Sequence, residues 1–141
     1  MVGVESTIID CTSETPTVLR PGAITILMVI EVANRISHLS ATSTNVRTSG
    51  LLESHYAPNT KVILGEKPEA GDGFIALSNL PTPVGVIRLA SPIDTEQFAQ
   101  DLYEALRVGD KKGVNRIVIA QPSGPGLAEA IRDRISRAAS I

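Results

Sequence analysis

Four short apolar runs set the pattern of the chain: Lys61–Leu64, Gly73–Leu77, Val84–Leu89 and Arg116–Ala120, each bounded by Gly, Pro or Asp. Runs of this length with so little alternation predict strands buried on both faces. Between the last two, Phe98, Leu102, Ala105 and Leu106 recur at helical spacing, and Asp94 with Gln97 supplies a capping pair, so a helix begins near Asp94. A strand–helix–strand unit of this size predicts a right-handed crossover between parallel strands. After Gly124-Pro125-Gly126 the chain closes on Leu127, Ala130, Ile131, Ile135 and Ala138, one apolar stripe backed by Arg132, Arg134 and Arg137. Residues 61–141 therefore predict a small Rossmann-like α/β domain with a parallel sheet.

The first 36 residues follow another pattern. Val4–Asp10 and Thr17–Leu19 read as strands, the second running into the turn Arg20-Pro21-Gly22, and Ile24–Ile36 predicts a helix with Ile26, Ile30 and Ala33 on one face. Two strands and one helix cannot close a core around themselves, so this segment needs another chain or the edge of the C-terminal domain to pack against. Ser37–Asn59 is rich in Ser, Thr, Asn and Gly and has no sustained apolar period, as a linker would. The reading divides the chain into 1–36, 37–60 and 61–141.

Composition narrows the function classes. The 141 residues, 43% of them hydrophobic, allow one ordinary core or two small ones. Thirteen Lys and Arg against fifteen Asp and Glu leave a formal charge of -2, and the only aromatic residues are Phe74, Phe98, Tyr56 and Tyr103. Neither a bulk positive field nor a stacking platform is available, so direct nucleic-acid binding is not expected. Cys11 is the only cysteine and reads as a small half-buried residue; with just His38 and His55 beside it, neither an internal disulfide nor a zinc site can be built. The apolar stretch Ile24–Val32 falls well short of the roughly 20 residues a membrane span requires, and Met1–Ile9 does not follow the secretory pattern. A cytoplasmic protein without a membrane partner is expected.

The candidate chemistry lies near the N-terminus. Ser6 and Thr7 place two hydroxyls side by side, and Arg20 stands at a tight turn where its planar fork of donors suits a phosphate or carboxylate. Composition alone makes these ordinary strand hydroxyls and a surface arginine. The turn Gln121–Gly126 lacks the Lys-Ser/Thr of a P-loop and reads as a plain strand-to-helix connection. Arg132, Arg134 and Arg137 alternate with Glu129 and Asp133, as on a solvated helix face.

Three ordered motifs carry a resemblance. The strings GVESTIID (3–10) and VLRPGAIT (18–25) resemble the end of the YrdC catalytic domain in the family that makes threonylcarbamoyl-AMP. Ser49-Gly50 followed by His55-Tyr56-Ala57-Pro58 is similar to that family's linker motif, although Leu51-Leu52-Glu53-Ser54 stands where the family carries a basic residue. Leu102–Arg107, the turn at Asp110–Gly113, Arg116–Ile119 and Ala130–Arg134 resemble the accessory domain of its long-form members. The resemblance implies a partial YrdC-type segment, a linker and a Rossmann-like accessory domain. It also implies roles: Ser6 as a threonine contact, Arg20 as a nucleotide contact, and Tyr56 with His55 closing over ATP. The full-length family uses ATP, with Mg in its substrate complex, to join L-threonine and bicarbonate in a tRNA-modification pathway; no tightly bound cofactor is expected here. The family's Lys-x-Arg and Ser-x-Asn motifs belong to the N-terminal catalytic half, which this chain does not carry. The resemblance thus implies a C-terminal portion inactive alone, whose N-terminal strands join the missing half or a second copy, and which acts beside tRNA-pathway proteins. The other reading is a non-catalytic Rossmann-like binding or regulatory module.

Overall fold

The computed structural model describes residues 3, 6–12, 16–35 and 58–139. Four parallel strands form the main sheet: β3 (Val62–Leu64), β4 (Gly73–Ile75), β5 (Ile87–Ala90) and β6 (Ile117–Ile119), in the order β3-β6-β4-β5. The expected parallel relation across β5, helix α2 (Thr95–Lys112) and β6 is present, with β4 lying between the two strands. Burial on both faces holds for the central strands β4 and β6 but not for β3 and β5, which are partly exposed because they are the edges.

Strand alternation splits the apolar side chains between two faces. Val62, Ile75, Ile117 and Ile119 point to one side, where Phe98, Leu102 and Leu106 of α2 meet Ile131 and Ile135 of α3 (Leu127–Ala138). Phe74, Ala76 and Val118 point to the other, with Ile63, Val86 and Ala120 against them. Arg88 also turns to this second face, with its guanidinium carbon 5.0 Å from the centre of the Phe74 ring.

Local sequence signals fix the ends of α2. Asp94 accepts from the Gln97 amide at 2.8 Å, and the Gln97 side chain accepts from the Ile93 amide at 2.9 Å. At the other end Gly113 takes the left-handed conformation (φ 62°) and its N–H donates to the Asp110 carbonyl. No helix among the described residues is long and apolar enough to cross a membrane.

The N-terminal strands β1 (Ile8–Asp10) and β2 (Thr17–Arg20) pair antiparallel with each other. Among the described residues they do not extend the four-stranded sheet, so they are not its edge. Helix α1 (Ile26–Arg35) follows, with Val29 buried while Leu27, Met28 and Val32 are at least half exposed. Cys11 is exposed rather than half-buried, because it follows the last residue of β1, beyond the strand pairing.

Gly109, on the buried face of α2, brings that helix close to the sheet. A Cβ there would come within 2.5 Å of Ile117 Cδ1, and Ile117 has no exposed surface into which to swing. Glycine to alanine in a helix interior ordinarily gains about 1 kcal/mol, whereas overpacking a core costs about 1–3 kcal/mol. Overpacking should win. Gly109→Ala is expected to lower stability by up to about 2 kcal/mol in urea unfolding; a more stable variant would mean that α2 can lift off the sheet.

Candidate functional site

The hairpin brings Ser6 and Arg20 together. Arg20 Nε and Nη2 donate to the Ser6 carbonyl at 3.1 and 3.0 Å, and Nη2 also approaches Ser6 Oγ at 3.4 Å. Strand pairing explains the meeting: Arg20 lies opposite Ile8, and a bulge between Ile8 and Ile9 shifts the register beside it. Arg20 is only 6% exposed, so it is not the surface arginine that composition suggests. A buried guanidinium needs partners, and the fork takes them from the main chain that carries Ser6. The two sequence-predicted residues therefore form one unit.

Neighbouring contacts hold that unit in place. Thr7 Oγ1 donates to the Ile24 carbonyl at 2.7 Å, tying the start of β1 to the turn that follows β2. Asp10 accepts from both the hydroxyl and the amide of Thr12, at 2.6 and 2.8 Å. These bonds, the hydroxyl first, hold the Asp10 carboxyl below its ordinary pKa. Between the hairpin and α3 lies a cavity of about 370 Å³, lined by Thr17, Val18, Pro21, Thr25, Gly126 and Glu129 among others. Neither Ser6 nor Arg20 lines it.

The remaining sequence candidates divide. His55 and Tyr56 lie outside the described residues, as do His38 and most of the expected linker. The turn before α3 is closed by Arg132, which donates to the Pro122 and Gly124 carbonyls at 2.8 and 2.9 Å. Arg137 gives two bonds of 3.0 Å to Asp133, and these, ahead of the burial that opposes them, raise its pKa. Arg134 is 6% exposed. The arginines of α3 are thus committed to protein partners, contrary to a solvated face. Sequence reasoning missed Arg134, yet its position three residues after Ile131 and four after Ala130 places it on the buried stripe. Among the described residues no cluster of three or more His, Cys, Asp or Glu could hold a metal ion.

Where the chain enters the accessory domain, Asp110 of α2 accepts from the Asn59 and Thr60 amides at 3.0 and 2.8 Å. Burial alone would raise its pKa; the bonds from Thr60 and Asn59 together outweigh burial and lower it. A carboxyl depressed in the folded state contributes stability above its unfolded pKa and loses it as pH falls through the folded value. Wild-type protein should therefore be more stable than Asp110→Asn at neutral pH, and the gap should close below about pH 4. Thermal melts of both proteins from pH 7 to 2 check this; a gap independent of pH would remove the charge from the explanation.

Residues 23–140 match the family described as threonylcarbamoyl-AMP synthase, C-terminal domain. Threonylcarbamoyl-AMP synthase of Pyrococcus abyssi is 31% identical over 97% of this chain and 46% of its own length. The Bacillus subtilis protein of that name is 28% identical over 98% of this chain and 46% of its own length. The chain thus spans less than half the length of these relatives. Among solved structures, that of P. abyssi Sua5 complexed with L-threonine is similar at a TM-score of 0.69 and 28% identity, covering 98% of this chain and 46% of that one. A variant of the same protein, with an adjacent histidine and tyrosine both replaced by alanine, is similar at a TM-score of 0.67 and 25% identity, over 98% of this chain and 45% of that one.

Proposed function

Because the chain belongs to the family of the threonylcarbamoyl-AMP synthase C-terminal domain, we propose that it acts as the C-terminal portion of such an enzyme and is inactive without the rest of the catalytic domain. In that reaction L-threonine, bicarbonate and ATP give threonylcarbamoyl-AMP and pyrophosphate, the activated donor for a tRNA modification made in the cytoplasm. The observation that carries the reading is the Ser6–Arg20 unit, held in a chain similar over nearly its whole length to a structure containing L-threonine.

Each residue has a chemistry suited to the task. Ser6 Oγ can donate to and accept from a small amino acid. The Arg20 guanidinium, already oriented by Ser6, supplies positive charge to the nucleotide phosphates. Magnesium enters with ATP as part of the substrate. His55-Tyr56 is the only adjacent His-Tyr pair in this sequence, matching in kind the pair replaced in the P. abyssi variant. An imidazole and a phenol at the end of a linker can cover a base and keep water from a labile carbamate or mixed anhydride. Helix α1 supports the need for the remaining half. Leu27 is 73% exposed, and Met28, Ile30 and Val32 stand open beside it, on a helix whose first five residues, Ile26–Ile30, are all apolar.

Isothermal titration with L-threonine and ATP, and pyrophosphate release with L-threonine, bicarbonate and ATP, test this. The chain alone is expected to release no pyrophosphate; release is expected once the N-terminal half of the B. subtilis relative is added. Ser6→Ala should then weaken L-threonine binding about threefold to tenfold, the worth of one hydrogen bond. Turnover by the isolated chain would refute the requirement for the other half. Complementation without any effect of Ser6→Ala would remove Ser6 from the threonine site.

A further inference from the structure

Arg134 joins the accessory domain to the turn that carries Arg20. Its Nη2 donates to the Pro21 carbonyl at 3.3 Å, and its Nη1 to Asp133 Oδ2 at 2.6 Å. Asp133 is in turn braced by Arg137. Pro21 directly follows Arg20, and its ring fixes φ, so a bond to its carbonyl restrains the peptide plane at the turn rather than a loose loop. On the other side of the turn, Arg20 grips the Ser6 carbonyl. The geometry forms a relay of Asp133, Arg134, Pro21, Arg20 and Ser6.

One close approach makes this joint tight: a Cβ on Gly3 would lie 2.4 Å from the Gln100 amide nitrogen in α2. That is a matter of shape, whereas the Arg134 bond is directional. A guanidinium 6% exposed also costs far more to bury than a neutral side chain. An apolar residue at this place on the stripe would pack without that cost, but it would not orient Pro21.

We propose that Arg134 is a positioning residue: through the Arg20-Pro21 turn, accessory-domain helix α3 sets the orientation of Ser6 in the threonine site. This rests on the function proposed above. It assigns the accessory domain a part in building the catalytic site.

The test uses the 141-residue chain and nuclear magnetic resonance, with the Arg20 Nε–H and the Ser6 carbonyl as reporters in the absence of substrate. Arg134→Met keeps much of the packing and removes the bonds; it is expected to shift both reporters while leaving the amides of β3, β4 and β6 unmoved. Asp133→Asn keeps Arg134 but weakens its anchor, and should shift the same reporters less. It also keeps the proposal testable if Arg134→Met fails to fold. L-Threonine affinity, with the N-terminal half of the relative present, should fall about threefold in Arg134→Met, and ATP affinity should fall with it because Arg20 moves in the same relay. Unmoved reporters in the folded variants would overturn the relay. Shifted reporters with unchanged threonine affinity would overturn the positioning role. If wild-type protein binds no threonine even with the other half present, the proposed function fails, and the relay is judged by the reporters alone.

Discussion

Two short strands and a ten-residue helix expose more apolar surface and more backbone than they can cover, and that shortage governs how the N-terminal segment sits. Part of it is met within the segment, where Arg20 closes on Ser6 and Thr7 on the Ile24 carbonyl. Part is met by the accessory domain, through Arg134 and the close approach at Gly3. The rest stays open on α1, where Leu27, Met28 and Val32 face outward. Ser6 and Arg20 sit at the join between what the segment satisfies for itself and what it borrows.

Buried arginine is the device that recurs. Arg20 and Arg134 each sit 6% exposed, with main-chain carbonyls among their partners. Arg88, half-buried, also takes main-chain carbonyls, at the carboxyl ends of β4 and β5. It donates to the carbonyls of Ala76, Leu77, Leu80 and Ala90 while lying over Phe74. Its burial lowers its pKa, but guanidinium titrates so high that it stays charged throughout the physiological range. A planar cation with five donors can hold several carbonyls at once, which lets short strands end in ordered loops. Asp72, 2% exposed, plays the acidic counterpart: it accepts from the Glu69 amide and from Arg116, closing the loop between β3 and β4.

Much of the fold was legible because its signals are local. The Asp94–Gln97 pair marked the start of α2, and the apolar runs marked the four strands of the sheet, because caps and short-range periodicity act within a few residues. Ser6 and Arg20 were legible as candidates from their motifs. That they form a single unit was not, since it depends on pairing between β1 and β2 and on a bulge that no nearby residue announces. The arginines of α3 misled for a related reason. Alternating charge suggests a solvated face, but on a helix Arg134 falls on the stripe of Ala130, Ile131 and Ile135, and the stripe decides.

By itself the sequence determined the kind of domain, the places where its helices begin, and the family motifs that single out Ser6 and Arg20. These follow from steric and hydrogen-bonding preferences that neighbouring residues satisfy among themselves. Only the tertiary structure decided that β3 and β5 are edges, that Arg134 lies buried against the Pro21 turn, and that the accessory domain touches the segment bearing Ser6. Those outcomes depend on which surfaces are left to cover once the local elements exist. Pro21 and Arg134 are 113 residues apart in the chain, and the contact between them is set by packing and by the cost of leaving a guanidinium without partners.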